Sequence, residues 1–188
     1  MKGALVAALL AISMGGAGQE ERAAKDRAPS LPIPLLEQRI HDLINTERIQ
    51  SQLPPLKLNE RLSKIARDHS QDMASRRFFD HVNPDGKSAT ARAIAGKFPC
   101  RKDLFNGRYT IGVSENIFQN NLYSKVIFYQ GRTTYQWNSL DEIARTTVKG
   151  WMESPGHRAN IMNRGVETSG VGIAISYDDQ VLITQLFC

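Results

Sequence analysis

The chain has 188 residues, of which 41% are hydrophobic and 23% charged, and its formal net charge is +5. This length suits one domain with a core large enough to be stable by itself, so two domains are not expected. Basic residues are scattered among acidic ones instead of forming a block. That pattern indicates a solvated surface and argues against a nucleic-acid-binding protein, while weak attraction to anionic wall polymers or lipids stays compatible with it.

The N-terminal segment has the pattern of a secretory signal. Lys2 precedes an apolar run from Ala4 to Ile12, and small residues at 15–18 suit a signal peptidase. The run is too short to span a bilayer, so we predict a signal peptide over residues 1–18 and no integral membrane span. An uncleaved anchor is the alternative. The mature chain is therefore expected to be secreted, extracellular or in the cell envelope.

A leader or linker is predicted over residues 19–34, because this stretch is charged and then proline-rich. Its prolines, the last of which is Pro34, are expected to block regular structure. Apolar residues at helical spacing then predict a helix over residues 35–51. A second helix is expected from an Asn59 cap to about Arg77, and His69 on its apolar stripe is interpreted as a packed core histidine.

The rest of the chain predicts a mixture of helices and antiparallel strands. Asn83 to Gly86 has the composition of a tight turn, and Ser139 with Glu142 matches a helix capping box. The helix that starts there should break near Pro155. The remaining expected elements are a short helix at 88–97, a strand at 111–118, a hairpin or ordered excursion at 119–138, and a hairpin formed by 170–177 and 181–187.

The two cysteines, Cys100 and Cys188, predict a disulfide. In an exported protein such a pair is more often bridged than free, and this bridge would fasten residue 188 to the middle of the chain. Two buried thiols are the alternative.

Glu115 is the most informative residue, because it interrupts an apolar strand. Side chains two apart share a strand face, so the carboxylate should point with Ile111, Val113 and Ile117 toward the core. A buried carboxylate needs a partner. His81, Glu153 and His157, in two short polar turns, are the candidates, and convergence would place two imidazoles and two carboxylates in one cleft.

The two histidines are predicted to lie at fixed positions. His81 follows a helix end and precedes a tight turn, whereas His157 falls in the first turn after Pro155, where the helix dipole disfavours an added proton. Two imidazoles suit zinc, but catalytic zinc usually has three protein ligands, so a weakly held metal is expected. A structural role for each histidine is the competing interpretation.

Nucleophilic catalysis has little support in the sequence. There is no G-x-S-x-G elbow, and both thiols are expected to be bridged. Two carboxylates could hydrolyse a glycoside, but sequence does not give their separation.

Six segments of the chain form a recognisable series, namely His41–Arg48, Asp80–Gly86, Ser114–Ile117, Trp151–Asn160, Gly170–Gly172 and Thr184–Phe187. In this order they resemble the CAP superfamily, the group of cysteine-rich secretory, antigen 5 and pathogenesis-related 1 proteins that share the SCP domain. The resemblance covers about residues 36–188, and we place a CAP domain at 35–188. The lack of a G-H-F/Y-T-Q signature and of most family disulfides makes the chain similar to the bacterial branch.

The resemblance implies an α+β fold, a three-layer α-β-α sandwich with a central antiparallel sheet. It also implies a cleft of two histidines and two acidic residues, onto which His81, Glu115 and His157 map well and Glu153 less securely. Zinc and lipids or sterols are among the ligand classes of the family, and proteolysis has been proposed for some members. The departures from the eukaryotic pattern argue against sterol binding.

Three functional hypotheses follow. The first is an exported, non-enzymatic binding domain for a small ligand or envelope component, in which His81 and His157 take a divalent metal while Glu115 and Glu153 orient them. The second is a zinc-dependent hydrolase in which a carboxylate activates metal-bound water. The third is a structural polar network, with function elsewhere on the surface, for example in residues 119–138.

Overall fold

The structure is a computed structural model that describes residues 28–103 and 107–188. The predicted signal peptide and most of the predicted linker lie outside these ranges. The helices are α1 (Ile33–Gln50), α2 (Glu60–Arg76), α3 (Ala89–Ala95), α4 (Leu140–Glu153) and α5 (Pro155–Ile161). The strands are β1 (Lys57–Leu58), β2 (Arg101–Asp103), β3 (Tyr109–Ile111), β4 (Ser114–Asn121), β5 (Tyr123–Tyr129), β6 (Arg132–Trp137), β7 (Thr168–Ile175) and β8 (Gln180–Phe187).

A four-stranded sheet in the order β1-β7-β8-β4 forms the centre of the fold. β4, β8 and β7 pair antiparallel, and the short β1 adds to β7 in parallel. Helix α2 covers one face of the sheet, while α1 and α4 pack together on the other. The predicted α+β class and the α-β-α sandwich are confirmed. Of the helices described, none combines the length and apolar character needed to cross a membrane.

Strand β7 packs differently on its two faces. Val171 and Ile173 contribute to the large core under α1 and α4, whereas Gly170 and Gly172 face α2. A Cβ added at Gly172 would lie 1.9 Å from the backbone nitrogen of Arg67 in α2. The two backbones therefore touch directly, and side chains larger than hydrogen have no room at these positions.

Helix α1 begins earlier than predicted. It starts at Ile33, and Pro34 lies in its first turn. A proline is tolerated there because the first backbone N–H groups of a helix have no partner within it, and the fixed φ of proline matches the helix. The expectation that Pro34 blocks regular structure was therefore wrong.

Helix α2 agrees with its prediction at both ends. The Asn59 side chain accepts hydrogen bonds from the backbone nitrogens of Arg61 and Leu62, and Arg77 ends the helix with a left-handed φ of 57°. His69 is buried, and its Nε2 lies 3.1 Å from the carbonyl oxygen of Asp80. The interpretation of His69 as a packed core histidine is confirmed.

The strand that carries Glu115 is shifted relative to the prediction. Gly112, at a φ of 141°, separates β3 from β4, so Ile111 belongs to a different strand and is exposed. The expectation that Ile111 shares the core face with Glu115 was wrong. Ile117 does share that face and is buried against Met73 of α2.

The later elements follow the predicted pattern. Residues 123–137 form the β5–β6 hairpin, and β7 with β8 forms the second hairpin. The Ser139–Glu142 capping box is present at the start of α4, and Ser154 separates α4 from α5. Trp151 is buried near the end of α4, where its indole nitrogen donates to the carbonyl oxygen of Ile117 at 3.0 Å.

The predicted disulfide between Cys100 and Cys188 is present and joins residues 88 positions apart. Backbone hydrogen bonds between Thr168 and Cys188 run in both directions, at 2.9 Å each. Residue 188 is therefore held to the sheet as well as to the segment that precedes β2.

Replacing both cysteines by serine should lower the free energy of unfolding by about 4 kcal/mol, because the unfolded chain regains the entropy of a long open loop. Urea unfolding of the double variant and of the oxidised parent measures this difference. Equal midpoints and slopes for the two proteins would contradict the prediction.

Gly172→Ala should destabilise the fold by about 3 kcal/mol, because its methyl group can only be accommodated by moving α2 away from β7. Gly156→Ala is the matched control, since a Cβ at that position in α5 meets no atom within 4 Å. Thermal and urea unfolding should show a large loss for the first variant and none for the second.

Candidate functional site

Glu115 lies on the edge strand β4, and its carboxylate is the centre of the site. The side chain is only 3% exposed. One oxygen accepts a hydrogen bond from Nδ1 of His81 at 2.8 Å, and the other accepts from Nη2 of Arg92. A buried carboxylate is stable when it is paired and fully hydrogen-bonded, and here two cationic or polar partners satisfy it.

Arg92 is a residue of the site that sequence reasoning missed. It lies on α3, its side chain is largely buried, and its Nη1 also donates to the carbonyl oxygens of His81 and Lys87 at 2.8 and 2.9 Å. One guanidinium therefore joins the Glu115 carboxylate to the loop that carries His81. Arg92 is the one charged residue of α3, but Glu115 lies 23 positions further along the chain, so the local pattern does not distinguish this arginine from a surface residue.

The loop between α2 and α3 is fixed by its own polar side chains. The carboxylate of Asp80 accepts from the backbone nitrogen of Val82 at 2.8 Å. The Asn83 side-chain oxygen accepts from the nitrogens of Asp85 and Lys87 at 3.1 and 2.9 Å. These are local turn interactions of the kind that aspartate and asparagine make. His81 is thus held on a rigid corner, as predicted, with its side chain 51% exposed.

His157 lies in the first turn of α5, as predicted. Its Nδ1 is buried and has no hydrogen-bond partner among the described residues, so Nε2 is the atom through which it would bind a ligand. Burial lowers the pKa of His157, and the nearby charge of His81 lowers it further. This direction agrees with the expectation, and its leading cause is desolvation.

Two asparagines connect β4 to α5. Asn116 donates to the carbonyl oxygen of His157 at 3.1 Å, and Asn160 donates to the carbonyl oxygen of Glu115 at 3.1 Å and to the Asn116 side chain at 2.9 Å. Sequence reasoning did not assign Asn116 or Asn160 a role. These bonds position His157 relative to the strand that carries the buried carboxylate.

Glu153 lies apart from these contacts. It ends α4, is 67% exposed, and its carboxylate is 3.8 Å from Nζ of Lys149. It lines a groove with residues of α1, including Leu43 and Thr46. In the described part of the chain, its hydrogen bonds and ion pairs do not join it to His81, Glu115 or His157. The break at Ser154 separates Glu153 from the helix that positions His157.

The described side chains around Glu115 do not supply the ligand set of a catalytic metal centre. Over residues 28–103 and 107–188, no group of three or more histidine, cysteine, aspartate or glutamate side chains is arranged to hold a metal ion. Both oxygens of Glu115 are engaged by His81 and Arg92. Catalytic zinc usually has three protein ligands, which these residues do not supply.

A three-layer sandwich of this kind is the fold of CAP, or SCP, domains, and a solved SCP-domain structure matches it. The Cysteine-rich secretory protein family, CAP, matches residues 41–187, and the chain belongs to this family.

Bacterial proteins are among the relatives. The uncharacterized protein YkwD of Bacillus subtilis is 33% identical over 145 residues, which cover 77% of this chain and 44% of YkwD. An extracellular SCP-domain protein from Bacillus anthracis has a TM-score of 0.58 at 26% identity, over 86% of this chain and 44% of that one. An outer surface protein from Borrelia burgdorferi has a TM-score of 0.61 at 14% identity, over 86% and 97% of the two chains. The chain thus spans less than half of YkwD, and the Borrelia likeness concerns the fold alone.

The two site imidazoles should titrate on opposite sides of the ordinary histidine value. The hydrogen bond to Glu115 raises the pKa of His81, whereas burial lowers the pKa of His157. The stabilising contribution of the His81 proton is therefore full below about pH 6.5 and is lost as the pH rises through the raised pKa. For His157 the sign is reversed, and stability is lost as the pH falls from about 6.5 through the lowered pKa.

An NMR titration of the histidine ring signals measures both values. Glu115→Gln should return the His81 pKa toward about 6.5, because the amide carries no charge to hold the proton. A His81 signal that titrates at the same pH in the parent and in this variant would contradict the assignment.

Proposed function

We propose that this protein is an exported binding domain, not an enzyme, whose His81 and His157 take a divalent metal such as zinc with low affinity. The observation that carries the proposal is the hydrogen bond from His81 Nδ1 to the buried Glu115 carboxylate at 2.8 Å. A carboxylate on one ring nitrogen fixes the tautomer and strengthens the other nitrogen as a ligand. In His81 that other atom is Nε2, on a half-exposed ring.

The charge of Arg92 sets the strength of this site. Its guanidinium binds the second oxygen of Glu115, so this carboxylate orients His81 instead of serving as a third ligand. A fixed positive charge next to His81 also opposes a divalent cation. Both effects favour weak binding and argue against the alternative of a zinc-dependent hydrolase, whose metal needs three protein ligands.

A groove beside the ion pair supports a binding function. It runs between α2 and α3, has a volume of about 630 Å³, and is lined by His69, Asn83, Lys87 and Arg92 among others. This volume is in the range of pockets that hold small ligands, and the mixture of charged and polar side chains favours a polar one. A small polar molecule or an envelope component is the proposed partner.

Two features support the proposal that the protein is exported. The apolar run from Ala4 to Ile12 follows the pattern of a secretory signal, and the Cys100–Cys188 disulfide is typical of oxidising compartments. The likeness to the extracellular protein of Bacillus anthracis adds support. The same features support a location of the protein in the cell envelope or outside the cell.

The bonds of Arg92 and Asn160 favour a second candidate function, a purely structural one. Arg92 joins α3, the His81 loop and β4, and Asn160 joins α5 to β4, which is what a stabilising polar network would do. Under this alternative the histidines bind nothing and the function lies elsewhere on the surface.

Zinc titration by calorimetry separates these candidates. We expect weak binding by the parent protein, a loss of at least about tenfold in affinity for His81→Ala and for His157→Ala, and a loss of about tenfold for Glu115→Gln, because a ligand-orienting carboxylate is worth that much. Glu153→Gln is the matched control and should bind as the parent does.

Thermal unfolding of the same variants completes the test. If the parent protein does not bind zinc, or if both alanine variants bind as it does, the metal site is ruled out. Variants that lose only thermal stability would favour the structural network. Zinc-dependent cleavage of a peptide or polysaccharide library, abolished by Glu115→Gln, would instead favour the hydrolase.

A further inference from the structure

The β5–β6 hairpin exposes large apolar side chains at its tip. Phe128 and Tyr129 precede the turn at Gln130–Gly131, and they are 74% and 69% exposed. Val126 and Ile127, one step further from the tip, are also exposed. Scattered exposed apolar residues are normal on a protein, but four consecutive ones at the end of a projecting hairpin indicate an interaction site.

These apolar residues lie on both faces of the hairpin. Neighbouring side chains of a strand point to opposite faces, so Val126 and Phe128 share one face and Ile127 and Tyr129 share the other. A sheet that docks on a protein core has one apolar and one polar face. An end that is apolar on both faces suits immersion in an apolar medium better than docking on a flat partner.

The base of the hairpin is anchored to the domain. The rings of Tyr135 and Trp137 stack with centroids 5.0 Å apart, and Tyr123 packs edge-on against both. Trp137 also packs against the main core, and the backbone nitrogen of Asn138 donates to the carbonyl oxygen of Leu122 at 2.7 Å. The base of the hairpin is therefore attached to the domain, and paired strands lead from it to the tip.

The charge of the hairpin is exclusively positive. Residues 116–140 contain Lys125 and Arg132 and no aspartate or glutamate, although acidic residues make up 19 of the 188 residues of the chain. Lys125 lies on the face of Ile127 and Tyr129, and Arg132 pairs with Tyr129 across the hairpin. Both cations thus flank the apolar tip, where long side chains can reach a negatively charged surface while the tip is buried.

We propose that the hairpin tip inserts into the headgroup region of an anionic lipid bilayer, with Lys125 and Arg132 contacting lipid phosphates. Aromatic side chains favour the interface between membrane and water, and nearby lysine and arginine add electrostatic attraction to anionic lipids. The two rings at the tip, Phe128 and Tyr129, point to opposite faces and so do not form one stacking platform for a sugar. A second copy of the chain would bring the cations of two tips together.

Vesicle co-sedimentation of the full chain tests this proposal. EDTA is included, so that the outcome does not depend on the proposed metal site. The parent should bind vesicles of phosphatidylglycerol and phosphatidylcholine in equal parts and bind pure phosphatidylcholine less. Phe128→Ser with Tyr129→Ser should weaken binding by about tenfold or more, because two large side chains no longer leave water. Lys125→Gln with Arg132→Gln should weaken binding to the anionic vesicles by roughly tenfold and remove most of its salt dependence.

Tyr177 provides the matched control, because it is 96% exposed but lies outside the hairpin. Tyr177→Ser should bind as the parent does. The apolar run from Ala4 to Ile12 is unchanged in every variant, so differences between variants report the substituted residues. The tryptophan fluorescence of Phe128→Trp should shift to the blue and become protected from acrylamide when vesicles are added. The tryptophan added by Tyr177→Trp should show neither change.

Four results would overturn the proposal. The first is equal vesicle binding by the parent and the Phe128/Tyr129 double variant, with both folded by thermal unfolding. The second is fluorescence at position 128 that vesicles do not change. The third is a parent dimer in analytical ultracentrifugation that the double variant abolishes, which would make a second copy the occupant. The fourth is tip-dependent binding to wall polysaccharide without any binding to vesicles.

Discussion

The burial of the Glu115 carboxylate in the edge strand of the sheet is the constraint on which the site depends. An ionised carboxylate out of water is costly unless donors surround it, and its donors here come from two other segments of the chain. Arg92 belongs to α3 and His81 to the preceding loop. Satisfying one charge therefore fixes the positions of three segments, and the side-chain amides of Asn116 and Asn160 extend the same network to α5.

Arg92 also decides what kind of chemistry the cleft favours. A carboxylate with one oxygen available could serve as a metal ligand or a general base, but in this structure the guanidinium occupies the second oxygen. The carboxylate is left to orient His81 and to raise its pKa. This charge pairing supports the proposed binding role over the hydrolase alternative. That distinction rests on one arginine, which the local sequence pattern does not distinguish from a solvated surface residue.

Most of the fold could be predicted from the sequence, because its signals are local. Apolar periodicity gave α2, the capping box at Ser139 gave α4, and the need of a buried Glu115 for a partner pointed to His81. The errors arose where tertiary context or backbone conformation decides. Pro34 fits the first turn of α1, and Gly112 separates Ile111 from the strand of Glu115. Arg92 and Asn160 are defined by partners distant in sequence, which no local pattern reveals.

The direct contact between β7 and α2 has a consequence for the geometry of the cleft. The loop that carries His81 starts at the end of α2, and the height of that helix above the sheet is set where the backbone of Gly172 meets that of Arg67. Glu115 belongs to the same sheet, two strands away. The distance between the His81 imidazole and the Glu115 carboxylate therefore depends on a backbone contact at β7, which is distant in sequence from both residues. Homologues whose core side chains differ can keep this distance as long as they retain glycine at the positions of Gly170 and Gly172.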